Sequence, residues 1–417
     1  MHYRPRVADA ELADRLQAAG AVVVEGPKAC GKTVTARQAA ASEVLLDIDE
    51  NARAAVAVNP ALVLDGPTPR LIDEWQMEPQ IWNHVRRAVD DRDQPGQFIL
   101  AGSAVPADDA TRHTGAGRFS RLRMRPMSLF ESDAGTGTVS LGGLLEGEPT
   151  ESSDPGLTIN DLAGEIARGG WPGLRDLPLA QAQQRVRDYL EEIRRTDINA
   201  IDGVRRDPES VGRLLRSLAR NVATHVAAAT LAADTEDAER PLKKHTAGDY
   251  LAALERLFIV ENQPAWAPHL RSRYVLRRAA KRHFVDPSLA VAALRASPAA
   301  LLRDLSLLGL LFESLVVRDL RVYAQASGGR VLQYRDSDGL EIDAIVATDD
   351  GRWAAFEIKL GGDKLIDEGV ESLTTFSKRV DTTKCGDPAV LGVIVGNGYG
   401  YVRKDGVHVI PIGTLRS

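Results

Sequence analysis

The sequence predicts an α/β protein: a mainly parallel sheet in the first third, a helix-rich middle, and a second, smaller α/β unit at the C-terminal end. Three observations carry this. Short apolar runs (AVVVEG, EVLLDID, RLIDE, QFILAGS, RLRMRP) alternate with amphipathic stretches in the first third, which is the pattern of strands joined by crossover helices. From about residue 158 helical periodicity takes over. A long amphipathic stretch, LSLLGLLFESLVVRDLRVYA, then precedes four strand-like runs, VLQYRDS, LEIDAIVA, WAAFEIKL and AVLGVIVG.

The bulk numbers set limits. A chain of 417 residues is too long for one ordinary core, so two to four domains are expected. With 44% hydrophobic and 26% charged residues, the composition is that of a globular and not a disordered protein. The two cysteines, Cys30 and Cys385, provide neither a disulfide framework nor a metal-ligand cluster, and they suit a reducing cytoplasm. The eight histidines show no ligand spacing, so no zinc site is expected. The opening MHYRPRVADAELADRL lacks the apolar core of a signal peptide, and no run is apolar enough to cross a bilayer. The expectation is therefore a cytoplasmic protein with no membrane partner. A net charge of −6 argues against a wholly basic coat but leaves room for a local basic patch.

The first strand runs directly into GPKACGKT. Strand, G-x-x-x-x-G-K-[ST], then helix is the P-loop, whose glycines let backbone amides turn around a β-phosphate at a helix N-terminus. The candidate nucleotide-binding residues are Gly26, Pro27, Lys28, Ala29, Cys30, Gly31, Lys32, Thr33 and Val34. Lys32 would reach the β- and γ-phosphates and Thr33 would ligate Mg²⁺. Cys30 is read as a packing residue. In the second strand region Asp47 and Asp49 are read as helix caps. RLIDE supplies Asp73, to hold the metal's water shell, and Glu74, to polarise the attacking water. At the edge of QFILAGS, Ser103 could sense the γ-phosphate. Arg118 and Arg121 are arginine-finger candidates, acting in cis or in trans; the alternative is that they cover the sheet edge as solvated charge.

These lines, with GRFSRLRMRPMSLFE, GGWP, YLEEIRRTDI, KRHFVDPSLA and LFESLVVRDL further on, resemble the AAA-type, additional-strand class of P-loop ATPases. More narrowly, they look like the bacterial and archaeal ATP-binding proteins in which such a domain precedes a C-terminal domain of unknown function. The resemblance implies ATP and Mg²⁺ as ligands, and hydrolysis as the reaction. On this reading residues 1–135 are the ATPase domain and residues 136–175 a loop and lid segment, since GTGTVSLGGLLEGEPTESSDPG is rich in turn residues.

Residues 176–295 form a helical domain in which two helices followed by a strand pair resemble a winged helix-turn-helix. In it, QPAWAPHLRSRYVLRRAAKRHF contains no acidic residue. It offers Arg271, Arg273, Arg277, Arg278, Lys281 and Arg282, interleaved with Trp266 and Tyr274, as possible contacts to DNA or RNA. A lid or protein-contact role is the alternative.

In residues 296–417, Glu357 and Lys359 lie two apart on a predicted strand, so they share a face. An antiparallel neighbour could bring Asp343 beside them, and Glu313 lies on the preceding helix. Carboxylates so placed can hold Mg²⁺ while the lysine orients a water near a scissile phosphate. The set resembles the PD-(D/E)XK nuclease fold, with Glu313, Asp343 and Glu357 at acidic positions and Lys359 at the basic one; Ile342, not proline, precedes Asp343. The expected function is a Mg²⁺-dependent ATPase whose nucleotide state controls a winged-helix segment and a nuclease-like domain. The alternative is an ATP-switched regulatory or interaction protein, with a protein partner or self-association, whose nuclease-like domain is catalytically silent.

Overall fold

Alternation of side chains along one short strand organises the first sheet. In the computed structural model, which describes residues 3–103, 114–235, 241–268 and 280–417, β1 (Ala21–Glu25) is buried almost throughout. Ala21 and Val23 enter one core, with Val44, Trp75, Val85 and Leu100; Val22 and Val24 enter the other, with Leu12, Leu16, Leu71 and Ile99. A strand apolar on both faces requires cover on both faces, which is the condition of a parallel sheet. The flanking strands are β2 (Ser42–Leu45), β3 (Arg70–Asp73), β4 (Phe98–Gly102) and β5 (Phe119–Arg123), in the order β2-β3-β4-β1-β5 and all parallel. Helices Val7–Ala18 and Lys32–Ala39 supply residues to one core, Glu50–Val58 and Ile81–Arg92 to the other. The chain leaves β1 for β2 on one side and leaves β4 for β5 on the other, so strand order reverses between β1 and β4. In such sheets ligands sit outside the strand carboxyl ends at that reversal.

The chain divides into two compact units that are interleaved in sequence. The first comprises Met1–Pro126 with two later stretches, Thr196–Arg206 and Ala253–Ile259. Within it Lys28 Nζ meets Asp197 Oδ1 at 2.6 Å, and the Arg123 guanidinium lies 4.0 Å from the Phe258 ring centre.

The second unit comprises Met127–Arg195, Asp207–Ala252 and Val260–Ser417. The stretch 136–157, expected as a loop, contains β6 (Val139–Ser140) and a short helix, Leu141–Leu145. Two things override its turn-rich composition. The Ser140 hydroxyl accepts a hydrogen bond from the Gly143 amide, and Leu141, Leu144 and Leu145 are buried. Downstream, helices Pro208–Arg220, Ala228–Ala233 and Lys244–Arg256 precede an antiparallel ribbon of β7 (Val260–Gln263) and β8 (Lys281–Phe284). Helix Pro287–Leu294 packs on Pro208–Arg220 and on Leu179–Glu192.

A mixed sheet follows: β9 (Gly329–Arg335), β10 (Glu341–Thr348), β11 (Trp353–Lys359), β12 (Val390–Val395), β13 (Tyr401–Val402) and β14 (His408–Pro411). Its order is β13-β14-β12-β11-β10-β9, antiparallel from β9 to β11 and parallel from β11 through β12 to β14. The last strand, β15 (Leu415–Arg416), pairs with β6. Helices Leu305–Ala326 and Asp363–Arg379 pack against the sheet. Trp353, Phe376 and Trp266 meet in its core, with Trp266 and Trp353 ring centres 5.0 Å apart. Among the described residues no helix is long and apolar enough to cross a membrane.

Candidate functional site

The P-loop residues fold as a turn between β1 and helix Lys32–Ala39. Ala29 (φ 61°) and Gly31 (φ 105°) both take left-handed backbone conformations, which turn the chain sharply before the helix begins. At Gly26 an added Cβ would lie 2.2 Å from the Met124 carbonyl oxygen, so only glycine lets the loop lie this close to the chain after β5. Arg6, missed in the sequence, braces the loop: it donates to the Cys30 carbonyl at 2.8 Å and to the Arg125 carbonyl at 2.8 Å. Cys30 itself is fully buried in the apolar core, the packing role expected of it.

Lys32 is buried, and its ammonium donates to the loop's own carbonyls, Gly26 at 3.0 Å and Pro27 at 2.8 Å. The Thr33 hydroxyl donates to the Asp73 carboxylate, 3.0 and 3.1 Å from its two oxygens. Loop and acidic strand end, separate in sequence, are thus one site. Burial pushes the Asp73 carboxyl above its usual range, and the Thr33 hydrogen bond acts in the opposite direction. A hydroxyl and a carboxylate facing each other beside a lysine are hard oxygen donors suited to Mg²⁺ accompanying a phosphate.

Next to Asp73, Glu74 sits in the left-handed region at φ 51°, an uncommon place for any residue but glycine. Its carboxylate accepts from Gln76 Nε2 and from the Ser103 hydroxyl at 3.4 Å. Gln76, not singled out from sequence, links the two: its Nε2 also lies 3.5 Å from Ser103 Oγ. A Cβ on Gly102 would stand 2.5 Å from Gln76 Oε1, so the glycine ending β4 leaves room for that side chain. The sequence signal was present in LIDEWQ, two residues past the glutamate.

Arg118 and Arg121 are engaged elsewhere. Arg118 pairs with Asp90 at 2.8 Å, and Arg121 with Glu25 at 2.9 Å beside the Trp82 ring. Arg118 directly precedes the edge strand β5 and Arg121 lies on it, and both side chains are partly exposed. Asp49 caps helix Glu50–Val58 through the Ala52 amide at 2.9 Å.

In the second unit, Glu313, Asp343, Glu357 and Lys359 come together as the sequence expected. Lys359 Nζ is 2.6 Å from Glu357 Oε2 and 3.8 Å from Asp343 Oδ2. The Ile358 amide donates to Asp343 Oδ2 at 3.0 Å. An unexpected fifth member is Lys281, whose ammonium is 2.6 Å from Glu313 Oε1 and 3.0 Å from Asp343 Oδ1. Its assignment to a nucleic-acid surface is corrected: Lys281 is 3% exposed and its charge is spent on internal carboxylates. Burial works against that charge, but Asp343 and Glu313 together hold the lysine above its ordinary value. Burial, then repulsion from Asp343, pushes both Glu313 and Glu357 up to about 8. Among the described residues no three acidic, histidine or cysteine side chains are arranged to hold a metal ion.

The rest of the expected basic surface is reduced as well. Trp266 is a core residue and not a stacking platform. Arg282 donates to the Val226 carbonyl at 3.0 Å and to Asn262 Oδ1 at 3.1 Å. Arg271, Arg273, Tyr274, Arg277 and Arg278 lie outside the described residues.

Comparisons with known proteins agree with the first half of this picture. Residues 18–132 match a family model described as an AAA domain. Residues 159–300 match a domain of unknown function, DUF8612, and residues 308–415 a second one, DUF4143. The uncharacterized proteins Mb2031c of Mycobacterium bovis and Rv2008c of Mycobacterium tuberculosis are each 27% identical over 363 residues, covering 85% of this chain and 73% of theirs. A solved structure, the Walker-type ATPase PABY2304 of Pyrococcus abyssi, aligns over 70% of this chain and 99% of its own, at 12% identity and a TM-score of 0.42. The stretch similar to AAA domains thus contains the loop at Gly26–Thr33 and every strand of the first sheet.

Proposed function

We propose that the protein is a Mg²⁺-dependent ATPase whose nucleotide state governs its helical middle segment and its C-terminal sheet. The observation that carries this is the Thr33–Asp73 contact next to buried Lys32, with Glu74 one residue on. A triphosphate would draw the Lys32 ammonium off the Gly26 and Pro27 carbonyls onto phosphate oxygens, while the loop amides and the N-terminus of helix Lys32–Ala39 hold the β-phosphate. Thr33 and Asp73 would hold Mg²⁺, which offsets phosphate charge. Glu74 would accept a proton from the attacking water, with Ser103 and Gln76 fixing its carboxylate. Arg118 and Arg121, held by Asp90 and Glu25, are not drawn on.

Nucleotide binding and turnover test this. Lys32→Ala should abolish measurable ATP binding. Glu74→Gln should retain binding and lose about 10²–10⁴-fold in turnover, the usual range for a general base. Unchanged affinity in the first variant removes the site; unchanged turnover in the second removes Glu74 from its role.

For the C-terminal sheet two readings stand, a nuclease-like unit acting on DNA or RNA and a catalytically silent one serving regulation. The second is favoured by one observation, that both lysines of the cluster are already paired with its carboxylates. Incubation of the protein with DNA and RNA plus Mg²⁺ or Mn²⁺, beside Lys359→Ala, separates them. Cleavage that the variant loses supports the nuclease, and no cleavage in any nucleotide state supports the silent fold.

A further inference from the structure

The cluster in the second unit contains three carboxylates and two ammoniums, and its geometry is specific about which charge faces which. Lys281 reaches it from β8, with a side chain only 4% exposed, and stands between Glu313 and Asp343 at 2.6 and 3.0 Å. A divalent ion bridging those two acids would need to sit about 2.0–2.2 Å from their oxygens if Mg²⁺ or Mn²⁺, which is the space the ammonium fills. The remaining oxygen of Asp343 is taken by the Ile358 amide, and Glu357 is taken by Lys359.

Nor is Lys281 on a loose arm. The neighbouring β7 residue Gln263 donates from Nε2 to the Asp343 carbonyl at 2.8 Å and to the Leu332 carbonyl at 2.9 Å, fastening the ribbon to the sheet. His283, two residues along β8, is buried and faces Gln263 Oε1 and Ser314 Oγ.

We infer that Lys281 is a resident counter-cation that takes the metal's place between Glu313 and Asp343 and keeps divalent ions out of the Glu313–Asp343–Glu357 cluster. These are the acids that the sequence marked as holders of Mg²⁺, but the charge they were expected to bind is supplied by the chain itself. The ammonium stands between the Glu313 and Asp343 carboxyl groups; without it those two acids would face each other across a gap with no cation in it, the setting a divalent ion fills. The inference goes beyond the nucleotide reading and is independent of it, since Thr33 and Asp73 take no part.

Count Mn²⁺ bound to the full-length, nucleotide-free protein by electron paramagnetic resonance, with ATP turnover measured in parallel to report on the P-loop separately. The wild type and Asp343→Asn should bind equal amounts. Lys281→Met, which keeps the length and loses the charge, should gain about one ion per chain, and Lys281→Met with Asp343→Asn should lose it again. The inference is overturned if the wild type loses a bound ion on Asp343→Asn or Glu357→Gln, or if folded Lys281→Met gains none. Should circular dichroism show Lys281→Met unfolded, wild type against Glu357→Gln decides alone: equal counts uphold the resident cation, and a lost ion ends it.

Discussion

Glu74 is held in a left-handed conformation that costs a non-glycine residue about 1–3 kcal/mol, and the hydrogen bonds from Gln76 and Ser103 are what hold its side chain there. If Glu74 serves as the proposed base, Gln76→Ala should lower ATP turnover by about tenfold to a hundredfold with ATP affinity almost unchanged, because the lost contact orients that carboxylate without touching phosphate. Equal kcat in variant and wild type would show that Glu74 is fixed by its backbone alone. At this scale the sequence was legible where chemistry dictates spacing. Lys32, Thr33 and Asp73 come together where the proposed phosphate and metal would need them, and their spacing could be read from the sequence. Gln76 stands in plain view two residues past Glu74, but its role was not legible, because its reach depends on the missing Cβ of Gly102 at the end of β4. Lys281 was misread for a related reason. Local composition around RRAAKRHF looks like a solvated basic face, but its burial is decided by Glu313 and Asp343, far along the chain.

Between elements, the second unit buries ionised groups that only their partners neutralise. Arg318, on helix Leu305–Ala326, donates to Asp286 at 2.8 Å and to Asp319 at 2.8 Å, and all three are nearly or fully buried. Asp286 also caps helix Pro287–Leu294 and accepts from the Gly170 amide, while Asp319 accepts from the Leu129 amide. Arg318→Met should destabilise the unit by about 3–5 kcal/mol in urea unfolding, since it strands two buried carboxylates; a loss below about 1 kcal/mol would mean that water replaces the guanidinium. The carboxylate–lysine cluster adds a pH dependence. Glu313 and Glu357, raised to about 8 in the fold, titrate near about 4.3 when unfolded. The stability from their retained protons is whole below the unfolded value and is lost as pH climbs through about 8. The urea midpoint should thus fall between about pH 5 and 9, with a shallower slope in Glu313→Gln. A flat wild-type profile would refute the raised values. Strand and helix types here followed from periodicity. The short helix at Leu141–Leu145 escaped because glycine-rich composition outweighed three leucines that tertiary burial later uses.

At the scale of the whole molecule, the P-loop unit is not a contiguous piece of chain. The apolar runs that build its sheet all lie before Pro126 and were readable, but Thr196–Arg206 and Ala253–Ile259 enter it from the helical middle and carry no local mark of doing so. They matter to the nucleotide loop and to the core. Asp197 pairs with Lys28 inside the P-loop, and Phe258, 2% exposed, lies under the Arg123 guanidinium at the end of β5. Truncating a buried phenylalanine typically costs about 3–5 kcal/mol, a large share of the stability of a small unit. A chain ending at residue 135, which keeps the P-loop and every strand of the sheet, should therefore unfold at a lower temperature than the same unit in the intact protein and bind ATP more weakly. Phe258→Ala in the full chain should reproduce part of that loss, and it should do so with Lys32, Thr33 and Asp73 untouched. Because ligand binding stabilises the state that binds, a saturating ATP analogue at about a hundred times its Kd should restore about 2.7 kcal/mol to Phe258→Ala. Truncated chains that melt and bind like the intact protein would show instead that the two late stretches rest on a unit already complete without them.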